Sequence, residues 1–66
     1  MKQFILYDIL NNMYYWEYRG ERGFDADVQE ATKYASIKDV EKALYNAQKN
    51  SEYLRILEIK EVYFIN

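Results

Sequence analysis

Residues 3–10, Gln-Phe-Ile-Leu-Tyr-Asp-Ile-Leu, form a short apolar run rich in aromatic and branched side chains, and Asn11-Asn12 bounds it. Such a run predicts a strand. Asparagine tolerates positive φ, so Asn11-Asn12 is expected to be a two-residue hairpin turn. Residues 13–19, Met-Tyr-Tyr-Trp-Glu-Tyr-Arg, then return as a second strand. Its alternation places Tyr14, Trp16 and Tyr18 on one face and Met13, Tyr15, Glu17 and Arg19 on the other. Gly20 and Gly23 are the only glycines, and Gly20-Glu21-Arg22-Gly23 is expected to be a loop with at least one unusual backbone angle.

Two readings fit the next segment. Asp25 or Asp27 can cap a short helical turn over Val28–Glu30, with Thr32-Lys33-Tyr34-Ala35 as a short third strand. Alternatively, residues 27–35 form one helix. Beyond them Ser36 stands three before Asp39, a weaker relative of the capping box. Val40, Ala43, Leu44 and Ala47 follow helical spacing and make one apolar stripe, which predicts a helix over 37–49. Residues 53–65 regain strand character, but Leu54 and Ile56 have one parity and Leu57 and Ile59 the other. A bulge near Ile56-Leu57, or a strand buried on both sides, would reconcile them.

The expected fold is α+β: a small antiparallel sheet of three to four strands with one helix on one face, in the order β-β-(β)-α-β, as a single domain over residues 1–66. One helix covers one face, and a half-covered sheet normally shows polar residues on the other. Here the strands carry apolar groups on both faces, with Tyr15 against Tyr14, Trp16 and Tyr18 in the second strand, so tyrosines are expected on the open face.

Composition sharpens this picture. The chain carries eight tyrosines, three phenylalanines and one tryptophan but no histidine, cysteine or proline. Contact groups abound, whereas the usual general bases, thiols and soft-metal ligands are missing. Ser36, Ser51 and Thr32 have no histidine to activate them, so a non-enzymatic protein without cofactor is expected. Asp25-x-Asp27-x-Gln29 starts like a calcium loop, but Glu30 stands where glycine is required and Ser36 where the closing glutamate belongs, so no metal is expected. Gly20-x-x-Gly23 lacks the lysine and spacing of a phosphate loop. A net charge of −2 with scattered basic residues argues against a nucleic-acid partner. No apolar run is long enough for a signal core or a membrane span, so the cytosol, and no membrane partner, is expected.

The stretch Arg19-Gly20-x-x-Gly23-Phe24-Asp25-x-Asp27-x-x-Glu30-Ala31-Thr32-Lys33-Tyr34-x-Ser36-x-x-Asp39-x-Glu41-Lys42-Ala43-Leu44 resembles small accessory proteins of phages and prophages. In that group a hairpin leads through a Gly-aromatic-x-x-Asp turn to a short strand, a Ser-x-x-acid helix and a closing strand. The resemblance implies the third-strand reading of 32–35. It also implies a binding function, through inhibition of a host defence or regulatory protein or sequestration of a nucleotide signal.

A core this small cannot enclose twelve rings, so some are expected to be exposed or to meet another chain, with a homodimer favoured. Tyr14, Trp16, Tyr18 and Arg19 are the candidate contact residues, and Glu21, Asp25 and Asp27 form an acidic rim suited to a basic partner. The leading expectation is occlusion of a host protein's surface. The alternative is an oligomeric sponge in which tyrosines stack on a nucleotide and Arg19, Arg22 or Lys33 takes its phosphate. For the helix face, Leu44→Ala is expected to cost about 2–5 kcal/mol in urea unfolding, and a near-neutral result would refute the assigned stripe.

Overall fold

The computed structural model describes residues 2–49 and 55–63. Four strands, β1 (Lys2–Asp8), β2 (Met13–Tyr18), β3 (Glu21–Asp25) and β4 (Leu57–Tyr63), form one antiparallel sheet in the order β3-β2-β1-β4. A 3-10 turn spans Val28–Glu30, and the single helix α1 runs Ile37–Lys49. This is the α+β architecture the patterning predicts, with α1 packed on β1 and β4.

The helix starts where its cap predicts: Ser36 Oγ accepts from Asp39 N at 3.2 Å, and Ser36 O accepts from Val40 N. Its stripe of Val40, Ala43 and Ala47 is buried against Phe4, Leu6 and Tyr15. Phe24, Tyr34, Leu44, Leu57 and Ile59 close the margin of this core. Leu44 is half-buried, so its truncation belongs nearer about 2 than about 5 kcal/mol, whereas Leu6 is fully enclosed.

Three local expectations are corrected. The first turn has four residues, not two: β1 ends at Asp8, which pairs with Met13, and Ile9–Asn12 make the loop. Asn12 supplies the positive φ of 57°, and Tyr7 Oη donates to its side-chain oxygen. The second turn is only Arg19-Gly20, with φ of 49° and 82°, so Glu21-Arg22-Gly23 is strand rather than loop. Two successive positive φ values give the primed turn whose twist suits a tight hairpin. Finally, Ile9 N donates to Ile56 O in the register of the Asp8–Leu57 pair, so no bulge separates Ile56 from Leu57. Ile56 is simply exposed, and Leu54 lies outside the described residues.

The two readings of 27–35 resolve into the short turn, capped by Asp27, whose carboxylate accepts from Gln29 N at 2.9 Å. Beyond the turn, Tyr34 makes a single bridge to Phe4 in place of the expected third strand over 32–35. The central strands β1 and β2 pair only at Tyr7–Tyr14 and Asp8–Met13 and then diverge. Residues 32–34 fill the fork. Phe4 and Tyr34 exchange both backbone hydrogen bonds at 2.8 Å. Thr32 N donates to Tyr15 O, and the Thr32 hydroxyl accepts from Glu17 N at 2.7 Å and donates to Glu17 O at 3.1 Å. The face away from the helix is therefore not open throughout: Val28, Gln29 and Lys33 close around Ile5, which is buried.

At the hairpin end the carboxylate of Asp8 is fully buried and fully used. It accepts from Leu10 N at 3.1 Å, Asn11 N at 3.2 Å, Asn11 Nδ2 at 2.9 Å and Arg55 Nη1 at 2.6 Å. The Arg55 guanidinium also lies 3.6 Å above the Phe24 ring. Burial alone would raise the Asp8 pKa; hydrogen bonds from Asn11 and Arg55, with the Arg55 charge, outweigh it and hold the group below 3.8. A carboxyl held low contributes stability above its unfolded pKa and loses it as pH falls through the folded value. Asp8→Ala should cost about 3–5 kcal/mol at neutral pH, because it removes the carboxylate that faces a largely buried guanidinium. The gap from the wild type should narrow as pH drops below 3.8. Urea unfolding across pH checks both, and a pH-independent gap would contradict the assignment.

Candidate binding groove

β2 carries Tyr14, Trp16 and Tyr18 on one face, as the alternation predicts, and the burial of Tyr15 under α1 makes it the face away from the helix. Cross-strand pairing sets Asp25 beside Tyr14, Gly23 beside Trp16 and Glu21 beside Tyr18. Gly23 is needed here for close approach: an added Cβ would lie 2.9 Å from Trp16 Cζ2 and 3.1 Å from Nε1. The indole thus lies down over a bare stretch of β3, which leaves it half-buried.

A groove of about 580 Å³ opens between β3 and the 3-10 turn. Trp16 and Tyr18 supply its aromatic surface. Asp25 contributes from β3, Glu17 from β2, and Glu30, Ala31 and Thr32 from the 3-10 turn and the residues that follow it. Trp16, Tyr18 and Asp25 meet in it with Glu30, no lysine or arginine is among the lining residues, and Glu17 reaches it from a strand position whose side chain belongs to the opposite face. Asp25 Oδ1 accepts from Asp27 N at 2.8 Å, fixing the turn that carries the far wall. Tyr34 Oη donates to Glu17 Oε2 at 2.6 Å. Burial first, then the hydrogen bond and charge of Glu17, push the Tyr34 pKa well up, so the phenol remains a donor. Burial and the Glu17 charge also raise Tyr15, with Arg22 opposing.

Of the residues singled out from the sequence, Trp16, Tyr18 and Asp25 meet in this groove. Tyr14 stands next to it, half-buried with its ring 5.0 Å from that of Tyr7. Arg19 sits in the hairpin turn with its guanidinium 5.2 Å from the Tyr18 ring centroid, and Glu21 begins β3. Asp27 is a cap rather than a wall. Sequence reasoning missed Glu17, Glu30, Ala31 and Thr32, which become groove residues only because Thr32 is clasped to β2. A threonine four residues before the helix cap carried no signal of that contact.

Ring exposure bears on the surplus of aromatics. Among the described residues Phe4 and Tyr15 are buried, whereas Tyr18, Tyr45 and Tyr63 are 65%, 65% and 68% exposed. Tyr53 and Phe64 lie outside the described residues. No group of three or more potential metal-ligating side chains comes together among the described residues, and no helix there is long and apolar enough to cross a membrane. Comparison with protein-family models, curated proteins and solved structures returned no match.

Trp16 is the only tryptophan, so its emission reports on this groove alone. Gly23→Ala should lift the indole off β3, shift that emission and cost about 1–3 kcal/mol of stability. Unchanged emission would show that the ring does not rest on Gly23.

Proposed function

We propose that this chain is a non-enzymatic binding protein whose groove takes a basic side chain from a partner protein, covering the partner's surface in doing so. The observation that carries the reading is the pairing of Trp16 and Tyr18 with Asp25 and Glu30 in one groove without a lining cation. An aromatic face attracts a lysine or arginine head group, by about 0.5–1 kcal/mol where exposed and 2 or more where desolvated. Flanking carboxylates add charge-assisted hydrogen bonds. The nearby Glu21 and Asp27 extend the negative field and favour encounter with a basic surface. The resemblance to small phage accessory proteins makes a host defence or regulatory protein the expected target, inhibited by occlusion.

The sponge reading has less support. Lys33 Nζ already donates to the carbonyls of Gln29 and Ala31 at 3.2 and 2.9 Å. Arg19 and Arg22 line a separate depression of about 270 Å³ together with Glu17 and Glu21, which would repel a phosphate.

The test is a titration of the full chain with an arginine- and lysine-rich peptide and with a glutamate-rich peptide of equal length, read by Trp16 emission. A saturable change is expected with the basic peptide only, weakening as salt rises. Combined Asp25→Asn and Glu30→Gln should lower affinity roughly tenfold, from two exposed charge contacts. Equal response to both peptides, or none to either, would overturn the proposal.

A further inference from the structure

We infer that β4 is the self-association edge of this protein, and that two copies join antiparallel through it about an axis at Ile59. β4 ends the sheet among the described residues, its other neighbour being β1. Because Ile9 N donates to Ile56 O, the ladder turns the backbone groups of Glu58, Lys60 and Val62 toward β1. Those of Leu57, Ile59, Glu61 and Tyr63 consequently point outward, as a row ready to pair with another strand.

Charge selects both the partner and the register. Pairing two β4 strands about Glu58, Lys60 or Glu61 would oppose like charges at the axis. Pairing about Ile59 sets Glu58 of each copy opposite Lys60 of the other, twice, at non-hydrogen-bonded positions where side chains come closest. The same register brings Leu57 opposite Glu61, and the exposed Ile56 opposite Val62. A second copy of this chain is thus a strand whose charges complement Glu58 and Lys60, the latter already 4.3 Å from the Tyr7 ring centroid on the same face. Equal parity across the axis leaves both helices on one face of a continuous eight-stranded sheet, with each Trp16 groove free.

The charge-swap experiment rests on the two-fold pairing. Sedimentation of the wild-type chain should show a dimer. Glu58→Lys alone and Lys60→Glu alone should each weaken dimerisation at least about tenfold, since both contacts become repulsive. An equimolar mixture of the two variants should re-form a dimer, because every contact is again attractive; this recovery also shows that both variants fold. In the wild type, amide exchange should slow at Leu57, Ile59 and Glu61 as concentration rises. A wild-type chain that stays monomeric at NMR concentrations would overturn the inference. So would a dimer that both single variants leave intact, or variants that fail to recover on mixing.

Discussion

The fork between β1 and β2, and the way Thr32 and Tyr34 fill it, sets the rest of the structure. Two central strands that pair at only two positions leave backbone donors and acceptors without partners, which is costly unless something replaces the missing ladder. Thr32 does so for β2 with its own N–H and a hydroxyl that serves both the N–H and the C=O of Glu17. Tyr34 does so for β1 through Phe4. Once this clasp is made, the 3-10 turn is held against the sheet face that α1 leaves free. The groove is the space between that turn and β3.

The opposite end of the sheet is fixed by Asp8, a charge taken out of water only because four donors meet it. Its pairing with Arg55 ties the hairpin end of β1 to the chain entering β4, and Arg55 in turn caps the Phe24 ring. The two polar devices divide the work. Asp8 and Arg55 lock the core layer under the helix, while Thr32 positions the wall of the groove on the other side. Tyr18, whose ring is mostly exposed, lies at the groove and away from the interior.

Much of this was legible from periodicity. The helix follows from Ser36 and the Val40, Ala43, Ala47 stripe, and the shared face of Tyr14, Trp16 and Tyr18 follows from strand alternation. The short turn over Val28–Glu30 was visible through its Asp27 cap as one of two readings. What was not legible depends on contacts distant in sequence. Asp8 reads as one polar position inside the apolar run 3–10, not as the partner of an arginine 47 positions away. Gly23 reads as a loop residue because close approach of an indole leaves the same mark as a turn. Glu17, Glu30 and Thr32 belong to the groove only after β1 and β2 have parted. No local pattern in the chain announces that divergence.

The central claim is that the paired rings and carboxylates between β3 and the 3-10 turn receive a cationic side chain. Amide and indole chemical shifts of the labelled full chain, followed by NMR during addition of a short arginine-containing peptide, test it most directly. The account predicts shifts concentrated at the Trp16 indole N–H, Tyr18, Asp25 and Glu30–Thr32, with the amides of α1 unmoved. Shifts centred on α1, or spread evenly over the surface, would contradict it.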